Sequence, residues 1–398
     1  MKLQFNILMY TIIGLLSFSC SENDDDSNEE SDYSTVKTNI VANYAEIVSA
    51  NYNDAYDDAV SLQMAIATFT TSPTEETFIA TKAAWRTSRE SYGTTEAFRF
   101  ASGPIDDSDG PEGLLNAWPL DEQYIDYVDG DSDAGIINDL ITYPTITKIL
   151  LEGLNEEGGE KNISIGYHAI EFLLWGQDLT DPSEKKAGQR AYTDYVVSSV
   201  PSKSNVTDII TNQERRAAYL NICAELLIDH LQLMVDEWKT GGAYRTTFLA
   251  LDTDEAIQNM ITGISVLSKS ELAGERIYVA YDNQDQEDEH SCFSDNTHRD
   301  IRLNYYGVRN VYYGEYGSIF GTSIDYLISE IDSDLATEIR SFMRLATTDI
   351  ENTAIPFDFA IKDETKRPAV LTSVNSLRTL GDKFVEVASA LGLTVNIE

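Results

Sequence analysis

From Thr35 onward, apolar residues recur at steps of three and four. Ile40, Tyr44, Ile47, Val48 and Tyr52 would form one inward stripe of a helix that Ser34 or Thr35 could cap. Pro73-Thr74-Glu75-Glu76 has the form of a second helix start, with Pro in the first turn and acids facing the helix dipole. The same periodicity predicts helices over 122–127, 135–151, 165–177, 213–239, 253–280, 296–313, 323–331, 333–349 and 372–391. Strand alternation between hairpin turns is absent. The expected fold is therefore all-α, built of helical bundles. A polar break, Pro201-Ser202-Lys203-Ser204-Asn205, falls near the midpoint and divides residues 35–200 from 201–398, bundles of comparable size. No fixed-period repeat is visible.

The first residues follow another pattern. Met1-Lys2 gives a positive start, residues 7–18 are uncharged and mostly apolar, and Ser17-Phe18-Ser19-Cys20 follows. This reads as a signal peptide over 1–19, too short to span a bilayer. A cysteine after a small residue has the form of a lipobox, with Cys20 diacylated as the mature first residue, although Ser17 replaces the usual Leu. An ordinary cleaved signal is the alternative. Residues 20–34, including SENDDDSNEESD, carry acids without apolar anchors and read as a solvated tether. The expected location is the bacterial cell envelope, lipid-anchored to the outer membrane, on its periplasmic or surface-exposed face. No later segment looks long and apolar enough to cross a membrane.

Composition narrows the partners. Against 28 Lys and Arg stand 67 Asp and Glu, a formal charge of −39 in 398 residues. Such a surface repels nucleic-acid phosphates and anionic headgroups, so no nucleic acid is expected, whereas cations are suited. Aromatic residues make up 10% of the chain, which marks a folded protein and not a disordered polyanion. Beyond Cys20, only Cys223 and Cys292 remain, and spacing leaves open whether they pair.

With 4 histidines in the chain, each one's surroundings are informative. His168 and Glu171, in GYHAIEFLLWG, are three apart and share a helical face, where they could bind one ion or each other. Gly166 before them could mark a helix start with close backbone approach. The surrounding Ile170, Phe172, Leu173, Leu174 and Trp175 would bury the pair. A purely structural His–Glu hydrogen bond is the alternative. A second stretch, residues 285–298, gathers His290, Cys292, Asp295 and His298 with further carboxylates, a donor set suited to iron, zinc or manganese. Asp295 could cap the helix that follows; a solvated acidic turn is the bland reading. Third, Trp85, Arg89, Tyr92 and Glu96 form one helical stripe, and its two charges among aromatics imply pairing or a site. The chain has no His-Glu-x-x-His helix, Gly-x-Ser-x-Gly elbow, dinucleotide fingerprint or phosphate loop, so conventional hydrolase and nucleotide readings lose support.

Together AWRTSRESYGTTEAFRF, AWPLDEQYID, IGYHAIEFLLWGQD, and ELAGERIYVA followed by DQEDEHSCFSDNTHRDI resemble the imelysin family, also called insulin-cleaving membrane proteases, with its iron-uptake members. The resemblance implies two helical-bundle subdomains that meet around Gly166, His168 and Glu171. It would bring Glu96 and the segment carrying His290 and His298 to that site, with Trp85, Arg89, Asp121 and Asp295 in support. The expected cargo is a divalent or ferric metal ion, iron ahead of zinc, held by His168, Glu171, Glu96, His290 and His298. The function this implies is iron acquisition alongside other envelope iron-uptake components. A metallopeptidase with Glu171 as its catalytic residue is the alternative, and a module that binds a small ligand or partner without metal is another. A zinc peptidase needs about three protein ligands, an open position and a base, and only His168 and Glu171 are clear ligands.

Overall fold

The computed structural model describes residues 33–197 and 211–397. The signal peptide, Cys20, most of the acidic tether and the 201–205 break lie outside the described residues. Helix α1 (Ser34–Thr71) buries the predicted stripe and continues it through Ala55, Ala59, Leu62, Ile66 and Phe69. Ser34 and Thr35 lie inside this helix, and Tyr33 stands at the cap position without a side-chain bond. Helix α2 (Glu75–Thr95) starts two residues beyond Pro73, which therefore lies before the helix and not in its first turn. Thr74 is its cap, and Thr74 and Thr77 exchange backbone and side-chain bonds as a capping box. Glu75 and Glu76 then face the positive end of the helix dipole.

Every residue of α3 (Gly166–Trp175) is buried, as its all-round apolar sequence requires. Helix α4 (Gln213–Trp238) packs on α1 and α3. By length and composition the stretch 213–249 could cross a membrane, which the sequence reading overlooked. Here it serves as a core helix: Tyr219, Leu220, Leu227 and Leu231 are buried, and Arg216 is buried among charged partners.

Helix α5 (Thr253–Val266) runs into a π-helical stretch, Leu267–Tyr278, and ends as Val279–Asn283. Then come α6 (Thr297–Tyr313), α7 (Ile324–Ile331), α8 (Ser333–Glu351) and, after the short helix Phe357–Lys362, α9 (Arg367–Ala390). Helix α9 packs on α5, its π-helical continuation and α8, while α6 lies against both α2 and the π-helical stretch. Buried apolar residues of both groups form one cluster.

Two expectations fail locally. The helix predicted over 135–151 is two short pieces, Gly135–Asn138 and Lys148–Leu154. Between them the Asp139 carboxylate accepts from the backbone N–H of Ile141 and Thr142, and Pro144 has no N–H to offer a helix. A short hairpin was also missed: Glu315–Tyr316 pairs with Ile319–Phe320 around Gly317, whose φ is +56°.

Candidate functional site

The site begins at the first residue of α3. Gly166 has φ +86°, and a Cβ there would stand 2.7 Å from the Leu115 carbonyl oxygen. Only glycine fits, and this tight entry sets the rotation of the helix that follows. We expect Gly166→Ala to cost about 1–3 kcal/mol from backbone strain alone, read as a lower denaturant midpoint. An unchanged midpoint would contradict the steric account.

That rotation turns His168 and Glu171 to one face, with Nδ1 and Oε2 at 2.9 Å. Glu171 Oε1 accepts from the Ser294 N–H at 2.9 Å and its hydroxyl at 2.7 Å, so both carboxylate oxygens are engaged. His168 Nε2 is buried and has no hydrogen-bond partner among the described residues. Burial, reinforced by the Arg89 charge, lowers the His168 pKa to about 3, so the ring is neutral at pH 7. Burial also raises the Glu171 carboxyl to about 8. Trp85 supports the helix, its indole N–H donating to the Tyr167 carbonyl at 3.0 Å and its ring meeting Trp175 edge-on.

His290 reaches this pair from the loop after α5. Its ring centroid lies 4.7 Å from that of His168, the planes crossing at 78°. Burial and then the Arg276 charge hold it neutral as well, with a pKa of about 3. Its Nδ1 lies 3.2 Å from Asp300 Oδ2, at the start of α6. Both imidazoles are thus oriented by a carboxylate on Nδ1. Asp300 Oδ1 accepts from Arg89 Nε and Nη2 at 3.3 and 3.2 Å, and Ser291 donates to Oδ2. Burial would raise the Asp300 carboxyl, but Arg89 and His290 outweigh it and hold it well below the usual range.

Glu96 joins through Asn116. Arg89 Nη1 donates to Asn116 Oδ1 at 2.5 Å, and Asn116 Nδ2 donates to Glu96 Oε1 at 3.2 Å while lying 3.5 Å from His290 Nε2. Glu96 Oε2 receives Arg276 Nη2 at 2.7 Å. Although burial opposes it, Arg276 and Arg99 lower the Glu96 pKa to about 2. Arg89 and Glu96 are therefore both paired, but not with each other as their shared stripe suggested. A cleft of about 300 Å³ opens beside them, lined by His290, Asn116, Trp118, Arg99, Arg276 and four glutamates.

The other expected residues lie elsewhere. His298 points away: its Nδ1 is 2.9 Å from the Asp295 carbonyl oxygen, and it lines a separate cavity with Arg86 and Glu90. Two residues apart on a helix face nearly opposite directions, and here Asp300 takes the inward one. Asp295 does not cap α6. Its φ is +57°, Asn296 holds the cap position, and its carboxylate comes within 4.8 Å of those of Asp178 and Asp358. Asp121 caps only the short helix Glu122–Ile125, accepting from the Gln123 N–H. Cys223 and Cys292 are free thiols. Asn116, Arg276, Ser294 and Asp300 were not singled out from sequence. For Arg276 the signal was available, a lone cation among Leu272, Ala273, Ile277 and Ala280.

The family model described as imelysin matches residues 48–384. Iron-regulated protein A of Synechococcus elongatus is 24% identical over 348 residues, covering 85% of this chain and 81% of that protein. A solved structure from Parabacteroides distasonis, assigned as an iron-regulated protein A precursor, shares the fold. Its TM-score is 0.63 at 18% identity, over 88% of this chain and 95% of that one. With a match this long, and with Gly166, His168 and Glu171 meeting in one buried corner, the chain belongs to the imelysin family.

Proposed function

We propose that this protein captures a metal ion, iron ahead of zinc, at the cell envelope, with His168 and His290 as its protein nitrogen donors. One observation carries the reading. Two buried, neutral imidazoles lie ring against ring, each tied by a carboxylate at Nδ1, and His168 Nε2 has no partner. Carboxylate–histidine pairs of this kind fix the tautomer and raise ring basicity toward a metal. Glu171 then acts behind His168 and not as a ligand: an ion at Nε2 favours the ionised Glu171, with Nδ1–H donating to it. Glu96 is tied into the network indirectly, held by Asn116 and Arg276. The remaining coordination positions fall to water or to donors that arrive with the ion.

Imidazole with carboxylate suits iron and zinc, and the iron-regulated name of the Synechococcus relative tips the choice to iron. Acylation of Cys20 and the acidic tether would hold the protein at the outer membrane beside other iron-uptake components. Peptide hydrolysis is the weaker reading, because both oxygens of Glu171, the carboxylate of the motif, are committed to His168 and Ser294.

Titration of the purified protein with ferrous, ferric and zinc ions tests this. We expect His168→Ala to weaken iron binding by on the order of 100-fold or more, and Glu171→Gln by about 10–100-fold, as for orienting partners of ligand histidines. Unchanged affinity in a folded His168→Ala protein would refute the assignment.

A further inference from the structure

We propose that Asp178, Asp295 and Asp358 form a second cation site, separate from the histidine pair, that takes a hard divalent ion of the calcium class. Oxygens of Asp178, Asp295 and Asp358 lie mutually within 4.8 Å, although the residues come from three distant parts of the chain. Asp178 follows α3, Asp295 precedes α6, and Asp358 sits on the short helix Phe357–Lys362. Carboxylates crowded in this way repel one another unless something positive lies between them.

The independent observation is the state of their oxygens. Asp358 is 1% exposed, and neither of its carboxylate oxygens has a hydrogen-bond partner among the described residues. Oδ2 of Asp178, a residue only 3% exposed, is likewise unpartnered there. Asp178 Oδ1, by contrast, receives the Thr180 N–H and hydroxyl at 3.0 and 2.9 Å, which holds that side chain in place. Buried polar atoms are nearly always bonded, so several orphaned oxygens in one spot mark a missing partner.

Arg86 and Lys185 offset part of the charge of Asp295 and Asp358, but neither forms an ion pair with them among the described residues. The Arg86 guanidinium donates to the Ser294 carbonyl, and the Lys185 ammonium lies 3.8 Å over the Phe359 ring. A donor set of carboxylate oxygens without nitrogen or sulfur suits calcium, which takes several such ligands in flexible geometry. A cavity of about 570 Å³, lined by Asp178, Asp181, Asp285, Glu287 and Lys362, gives access from solvent.

The placement also gives the ion a task. Asp295 adjoins Ser294, whose N–H and hydroxyl hold Glu171. An ion bound here pins the end of the loop that delivers Ser294 to Glu171. The site does not depend on the histidine pair binding metal.

The test is calorimetric titration and thermal unfolding of the chelator-treated full chain with calcium and magnesium, beside His168→Ala and the double variant Asp295→Asn/Asp358→Asn. Expected are saturable one-to-one calcium binding and a raised Tm in the wild type, the same in His168→Ala, and at least a tenfold loss of affinity in the double variant. That variant relieves repulsion, so its Tm in chelator should equal or exceed the wild type's. Absence of binding by the wild type up to about 1 mM calcium, the weak end for extracellular calcium modules, overturns the proposal. Binding that survives the double variant intact, or that disappears in His168→Ala, overturns it too.

Discussion

Asp126→Asn is expected to lose about 3–5 kcal/mol of stability, the usual cost of removing one partner from a buried charge group. Asp126 receives Arg190 Nη1 at 2.5 Å and Arg216 Nε and Nη2 at 2.6 and 2.8 Å, and all three side chains are fully buried. The amide would leave two guanidinium groups in a dry interior. Arg190 has little in reserve, since its Nε and Nη2 already lack hydrogen-bond partners and Asp194 stands 4.0 Å from its Nη1. The deficit should depend on pH. Burial alone would raise the Asp126 carboxyl, but Arg216 and Arg190 outweigh it and lower the pKa to about 2 from an ordinary 3.8. A depressed carboxyl stabilises the fold above its unfolded pKa and stops doing so as pH falls through the folded one. The gap between wild type and Asp126→Asn should therefore be full at pH 7 and shrink between about pH 4 and pH 2. Urea midpoints across that range measure it, and a gap that persists at pH 2 would contradict the charge account.

Asp300→Asn should cost a similar amount, about 3–5 kcal/mol, and should also weaken the metal site by about 10–100-fold. The stability loss comes from Arg89, which is buried and donates two of its bonds to Asp300. The binding loss comes from His290, whose Nδ1 loses its anionic partner. Denaturant unfolding and metal titration of the same variant separate the two effects. Weakened binding at full stability would mean that Asn116 alone satisfies Arg89. Lost stability with intact binding would remove His290 from the donor set.

Much of this fold was legible in sequence because its long helices are amphipathic over many turns. The α1 stripe repeats so often that no other register buries it. Helix α3 was legible for another reason: a glycine, a scarce histidine and a carboxylate at fixed spacing stand in an apolar run. The failures have local causes. In 135–151 the Asp139 carboxylate and Pro144 draw the backbone away from helix. Within 253–280 the period itself changes: Leu267, Leu272 and Ile277 are buried at steps of five, as a π-helix demands, and were read as part of an ordinary helix.

The site was only half legible. Scarcity drew attention to His298, yet Asp300, one of many carboxylates in a highly acidic chain, is the residue that turns inward. Asn116 and Ser294 sit on loops, where no periodicity announces a role, and their importance comes from partners far along the chain. The acidic run around 285–298 looked like one unit. In the folded protein it divides, with His290 and Ser294 facing the histidine centre and Asp295 facing the carboxylate cluster.

The single apolar cluster has a consequence for how this protein can be used. Helices α2 and α4, far apart in the chain, both pack on the helix that carries His168, while the π-helical stretch supplies Arg276 to the network beside it. Cutting the chain between them would strand greasy surfaces on both fragments. The ion-holding corner is therefore no portable cassette: it exists only when nearly the whole polypeptide has assembled around it.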